Sequence, residues 1–314
     1  MNTKQIEEIL PSQVDENLQS ILDSLSQNLN EVVSYGTHIL KWDVETKRQG
    51  KDNHIPALFF RNVIELGDSI ALLVKNSSID PSKILLRTLI ENSYGLFYML
   101  EKNEKQRALS YMVWKAINDI KLNKRFISDN ASSKELKSKI QAFNPDFDST
   151  KFFDKEETRK LIETKSRMLG SSEFKEIYQE YLRTKNLGGK NKNPNWYSLF
   201  NGPTDFQQLS NYLKKSLEYE FYYRKYSANV HTTDVAKGIA RAGDGKGQII
   251  QIRDFEHCTE VYSITISNLL MVYNQMVIKR IPGQEINFKE WYSKFRQIHF
   301  TTLEKAKFNY KKHN

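Results

Sequence analysis

The 314-residue sequence predicts an all-α protein, a multi-helix bundle around a central antiparallel helical hairpin at about residues 55–102. Three observations carry this. Glycine and proline supply only 13 and 7 residues, about 4% and 2% where usual shares are about 7% and 5%. Apolar residues recur at three- and four-residue steps along most of the chain. No run alternates convincingly with period two, as a half-buried strand would.

Leu18, Ile21, Leu22, Leu25, Leu29, Val32 and Val33 mark an amphipathic helix from about residue 14 into the forties, able to pack on the body or on another copy of itself. After a polar break at Lys47–Asn53, the segment from Ile55 to Val74 reads as apolar on nearly every side, the mark of a central helix. It stops at Asn76-Ser77-Ser78. Asp80-Pro81 then reads as an N-cap followed by proline at the first helical position. The second helix runs to about Leu100, and the short connection makes the pair antiparallel.

Further helices are predicted at about 105–127, 154–168, 173–184, 205–226 and 251–279, with a final short one around 288–298 before a basic tail. Length alone suggests about two domains. Composition divides the chain into an acidic helical arm at 1–50, a core at 51–240 and a basic helical region at 241–314.

The formal charge of +9 is uneven. Six acids and one base in the first 34 residues give −5 and leave +14 on the remainder. From Asn274 onward nine Lys and Arg face three Glu, interleaved with Trp291, Tyr292, Phe295, Phe308 and Tyr310. Basic residues among aromatics can track phosphates and stack bases, whereas the plainer reading turns those aromatics into the core. RNA or another polyanion is therefore one expected partner and a protein another, with the acidic helix a candidate cover for the basic end. One cysteine, Cys258, leaves no intramolecular disulfide. With no basic-then-apolar leader and no apolar run approaching about 20 residues, the expected address is cytoplasmic, with no membrane.

Within the hairpin, Arg61, Glu65 and Asp68 share one helical face and Arg87 and Glu91 share another. If both helices are buried, these charges need one another, because an unpaired buried charge costs about 3–5 kcal/mol. The expectation is an Arg/carboxylate network at one height, serving architecture or a polar cleft that binds substrate through Arg61, Glu65, Arg87 and Glu91.

The glycine-rich loop Ala242–Gln248 lacks a phosphate loop's Lys-Ser/Thr and its first glycine, and reads as a connection. His257 stands between Glu256 and Glu260 without a second histidine, so no metal is expected there, and no cofactor motif occurs elsewhere.

The segment Tyr222 to His231 is the best chemical candidate. Arg224 and His231 stand seven apart, two turns of an unbroken helix, with Ser227 between them as a substrate-side hydroxyl. Histidine moves protons near neutral pH and guanidinium stabilises phosphorane charge, a pairing suited to cleaving RNA without metal. The structural alternative is a hydrogen-bonded histidine.

HIPALFFRNVIELGDSI (His54 to Ile70), SSIDPSKILLRTLIENSYGLFYML (Ser77 to Leu100), NWYSLF (Asn195 to Phe200) and YRKYSANVH (Tyr223 to His231) resemble the bacterial domain of unknown function 5677 over about 54–235. That resemblance implies a helical fold and no particular activity. The arrangement is also distantly similar to HEPN domains, helical bundles that include metal-independent RNases of toxin and phage-defence systems. Their Arg, polar residue, four-to-six-residue gap and His imply Arg224 and His231 as the catalytic pair, in a cleft composed across a homodimer; Lys225 departs from the usual polar residue. Two functions stand open: an RNA-directed defence or toxin-like endoribonuclease, and a non-catalytic module for a protein or nucleic acid.

Overall fold

The structure, a computed structural model, describes residues 3–12, 15–128, 130–148, 152–230, 235–241 and 247–313. In chain order its helices are α1 (Glu16–Glu45), α2 (His54–Lys75), α3 (Ile79–Glu101), α4 (Glu104–Asn123), α5 (Ala131–Phe143), α6 (Glu156–Gly170), α7 (Ser172–Asn186), α8 (Phe206–Tyr212), α9 (Ser216–Glu218), α10 (Lys225–Val230), α11 (Cys258–Arg280) and α12 (Glu285–His313). A π-helical turn, Tyr219–Arg224, joins α9 to α10. Among the described residues the protein is all-α apart from one small antiparallel hairpin, β1 (Ile239–Arg241) with β2 (Gly247–Ile249), in which Ala240 pairs with Gln248. That hairpin flanks the glycine-rich loop, so a strand does precede it, contrary to expectation. Three-residue strands are too short to show alternation, and the return strand is antiparallel where a phosphate loop leads into a helix. Residues 242–246 lie outside the described residues.

The chain divides into two compact units, 1–102 with 210–314, and 103–209. This differs from the arm, core and basic-region division, because α1 and α11 belong to the same core as the hairpin.

In the first unit α2 packs on α1, α3 and α11, and α12 lies on α1 and α11. Leu25, Leu29 and Val32 of α1, Phe60, Val63 and Ile70 of α2, Leu86 and Leu89 of α3, and Leu269 and Val272 of α11 are fully buried. Two helical glycines permit the closest approaches: a Cβ at Gly67 would stand 3.1 Å from Leu269, and one at Gly36 would strike Tyr273. Asp43 and Arg280, 1% and 2% exposed, form an ion pair of 2.7 Å inside this core. Arg280 also donates to the Asn53 carbonyl at 3.0 Å and accepts on its own carbonyl from Arg48. By length and composition α11 could cross a membrane, and 61% of its most apolar window is buried against these neighbours.

Three local expectations change. Ser78, not Asp80, occupies the α3 N-cap, and Pro81 falls within the first turn, where a missing N–H still costs no helical hydrogen bond. Then α11 begins at Cys258 rather than 251, because His257 has a φ of +65°, a conformation that cannot continue a right-handed helix. Finally, the last helix is long, running to His313.

On α12, Phe288 and Trp291 meet Tyr35 of α1, whereas Tyr292 and Phe300 stay exposed. Trp291 stacks on Tyr35 at 3.9 Å and donates Nε1–H to Glu31 at 2.8 Å, and Phe295 is buried. The acidic helix thus covers the basic one through rings. One turn on, the Tyr262 hydroxyl accepts from Asn28 at 3.2 Å and is hydrogen-bonded to His299 Nδ1 at 2.8 Å. Burial lowers the His299 pKa from its usual value of 6.5. The contribution of this neutral imidazole is complete above that value and is lost as pH falls through the folded one. Urea unfolding from neutral pH to about pH 5 will therefore show a loss of stability that His299→Phe reduces.

In the second unit α4 packs on α6 and α7, burying Val113, Ala116, Phe174 and Ile177. NWYSLF closes this core: Trp196, Ser198 and Leu199 are buried, and the Phe200 N–H donates to Glu180 at 2.7 Å. Arg183 grips the same carboxylate with two donors at 2.6 and 2.8 Å. These bonds outweigh partial burial and hold the Glu180 pKa below the usual carboxylate range.

Candidate functional site

The expected network of Arg61, Glu65, Asp68, Arg87 and Glu91 does not form. The helix α2 is not apolar on all sides; Leu58 and Leu72 are each 56% exposed, and Arg61, Glu65 and Asp68 lie on the same open stripe. Arg61 pairs with Glu65 at 2.7 Å in solvent. No desolvation forces these groups toward α3, whereas Asn62 does reach across, donating to Asn92 at 2.8 Å.

Arg87 and Glu91 take different partners, on the π-helical turn and α10. Arg87 Nη2 donates to the Tyr223 hydroxyl at 2.6 Å and lies 3.1 Å from Glu91 Oε1, while Nε donates to Ser227 Oγ at 3.1 Å. The Tyr223 hydroxyl in turn donates to Glu91 Oε1 at 2.6 Å, and Ser227 Oγ donates to the Tyr223 carbonyl at 2.8 Å. The guanidinium sits 4.6 Å from the Tyr223 ring centre, a cation–π contact. Burial, then the Glu91 carboxylate, raises the Tyr223 pKa, so the phenol keeps its proton as a donor. This half-buried node fastens the 219–230 segment to α3.

A second anchor fastens that segment to α11. Lys225 Nζ donates to Glu260 Oε1 at 2.7 Å and the buried Tyr226 hydroxyl donates to the same oxygen at 2.9 Å. His257 Nδ1 lies 3.0 Å from Glu260 Oε2, and its Nε2 lies 3.5 Å from Glu256. Burial pushes the Glu260 pKa up, but Lys225, Tyr226 and His257 outweigh it and the net shift is downward. Leu18, Ile21, Leu22, Phe255 and Ala306 line a cavity of about 370 Å³ beside Glu260.

Between the two anchors Arg224 faces out. It is 63% exposed and its partner among the described residues is Glu220, at 2.8 Å one turn back. Ser227, expected on the same face, points instead to Arg87. The helix expected at 205–226 is interrupted, since Lys214 has a φ of +58° and the turn at 219–224 is π-helical, so two-turn spacing no longer assigns a face. His231 lies outside the described residues.

With this geometry in place, the comparison that bears on it is a match of the model for the family of unknown function DUF5677 to residues 53–244. The chain belongs to that family. Among curated proteins and solved structures nothing matches. The DUF5677 span contains both halves of the Arg87/Glu91/Tyr223/Ser227 node and the Glu180 latch, whereas α1, α11, α12 and Glu260 lie outside it. The family segment thus lacks the helices that bury α2 on two sides.

Neither the role of Tyr223 nor the link of Glu260 to Lys225 and Tyr226 is apparent from the sequence. The i,i+4 spacing of Tyr223 and Ser227 was the available signal, matching that of Arg87 and Glu91.

Proposed function

We propose that this chain is an RNA-directed helical protein of the defence or toxin kind, a metal-independent endoribonuclease in which Arg224 contacts the scissile phosphate and His231 moves the proton. The carrying observation is the position of Arg224, in solvent on a segment pinned at Tyr223 and Ser227 to α3 and at Lys225 and Tyr226 to α11. A pinned backbone with an exposed guanidinium suits phosphate binding, since an exposed pair with Glu220 is cheap to exchange for a phosphate oxygen. The similarity of Tyr223 to His231 to the HEPN motif supports the same assignment.

In this reading the RNA 2′-hydroxyl gives its proton to a base and attacks phosphorus, and the 5′-oxygen leaves as a hydroxyl after gaining a proton. His231 supplies one of these transfers. The products are a 2′,3′-cyclic phosphate and a 5′-hydroxyl.

Incubation of total RNA with the wild-type chain in EDTA will yield those ends. His231→Ala will slow cleavage by about 10²-fold or more. Arg224→Ala will weaken it without lowering the melting temperature, as expected of an exposed side chain. No cleavage by folded wild type, or equal cleavage by His231→Ala, overturns the proposal.

A second reading, a non-catalytic module for a protein or nucleic-acid partner, is favoured by α12. Its inner rings are taken by α1, and its outer side exposes Lys289, Lys294 and Arg296 beside Ile298 and Phe300. In that case His231→Ala lowers stability and leaves binding unchanged.

A further inference from the structure

We propose that the exposed stripe of α2 pairs with the same stripe of a second copy of this chain, antiparallel about a two-fold axis at Glu65. This goes beyond the proposed activity and does not depend on it.

Within His54–Lys75 the exposed residues are Leu58, Arg61, Glu65, Asp68 and Leu72, with His54 and Lys75 at the ends; every other residue of the helix is buried or half-buried. Steps of three and four place them all on one line along the helix. Three of its sides meet α1, α3 and α11, and this line is the fourth.

About Glu65 the line is symmetric in apolarity, leucine answering leucine, and Arg61 on one side is answered by Asp68 of opposite sign on the other. Leu58 and Leu72 each stand seven residues from Glu65 and are equally exposed, at 56%. In an antiparallel pair Leu58 of one copy lies level with Leu72 of the other, so both leucine pairs leave water together. Arg61 falls level with Ser69 of the second copy, beside Asp68. Its guanidinium, already 2.7 Å from its own Glu65, then bridges to the second copy's Asp68. Asp68 has no salt bridge within its own chain among the described residues. The two Glu65 side chains meet near the axis, each held by its own arginine. At the outer ends His54 and Lys75 share a level, adding positive charge beyond the leucines. A two-fold contact must be self-complementary, which this arrangement satisfies.

On α3, Ile84 is 38% exposed and widens the apolar end. By the Asn62–Asn92 hydrogen bond, which sets the register of the hairpin, Ile84 stands nearly level with Leu72.

Sedimentation of the full chain across a concentration series tests the pairing. Wild type is expected to show a reversible monomer–dimer equilibrium. Leu72→Glu, or Asp68→Arg, which sets arginine against Arg61, should weaken it at least about tenfold. Adding Arg61→Asp to Asp68→Arg reverses both signs and should restore the dimer. All three positions are exposed, and melting curves verify folding. In a separate readout, Glu65→Cys places one thiol on the axis, and mild oxidation should give a covalent dimer on non-reducing electrophoresis, the native Cys258 being buried. A wild-type monomer at every concentration, a dimer indifferent to Leu72→Glu and Asp68→Arg, or a Glu65→Cys chain that stays monomeric on oxidation overturns the proposal.

Discussion

Replacing Arg280 with methionine is expected to cost about 3–5 kcal/mol of stability, the penalty for stranding a buried charge. Asp43 would lose its partner at 2.7 Å in a site where both side chains are almost fully buried. Its other oxygen already lacks a hydrogen-bond donor. Methionine fills much of the arginine's volume, so the loss reports charge rather than a cavity. The double variant Asp43→Leu/Arg280→Met should recover most of that loss, because a buried ion pair exchanged whole for apolar groups is often neutral. Urea unfolding of the two singles and the double forms a cycle. A double variant as unstable as the Arg280 single would show that the Asn53 carbonyl and the Arg48 contact, not Asp43, are what Arg280 supports.

The second large effect is expected at Gly36. An alanine Cβ there would overlap the Tyr273 hydroxyl and stand 2.8 Å from Cζ. The ring cannot swing aside cheaply, since Tyr273 is fully buried and its hydroxyl donates to the Val32 carbonyl at 2.9 Å. Alanine favours a helix over glycine by up to about 1 kcal/mol. Against that stand about 1–3 kcal/mol for overpacking and a similar amount as the hydroxyl loses its acceptor, so Gly36→Ala should cost about 1–5 kcal/mol. Tyr273→Phe removes the hydroxyl, and the double variant should lose less than the sum of the singles. Strict additivity would mean that α1 shifts bodily instead.

The parts of the fold that were readable are those with strong local periodicity. The α1 stripe and the α2–α3 hairpin fall where three- and four-residue spacing puts them. The number of apolar residues in α2 points to burial on every side, but their positions do not: Leu58 and Leu72 lie on the exposed line of Arg61, Glu65 and Asp68. The unpredicted α5 carries few large apolar residues and buries only Ser133; an Asn130 cap and a Lys139–Glu135 pair hold it, and neither shows in hydrophobic spacing. For α12, apolar spacing suggested a stop near 298, but a polar chain without glycine or proline continues helical as far as His313.

The site was legible only in halves. Arg87 with Glu91 and Tyr223 with Ser227 each show an i,i+4 pair, but more than 130 residues separate the halves. No spacing rule reaches across an intervening compact unit, and a π-helical turn shifts the phase that would have assigned Arg224 a face.

That intervening unit sets the timetable of synthesis. The chain leaves the first core after Lys102 and rejoins it at Ser210, and the Tyr212 hydroxyl donates to Glu101 at 2.7 Å, so exit and re-entry lie side by side. On a ribosome adding roughly 5–20 residues per second, α3 is complete about ten to thirty-five seconds before α11. During that interval the apolar faces of α1, α2 and α3 have no α11 to close on. The nascent hairpin thus stays open on its α11 side for that interval, with apolar surface exposed to aggregation. A version in which a short linker replaces 103–209 would bring the two halves out almost together and should refold faster.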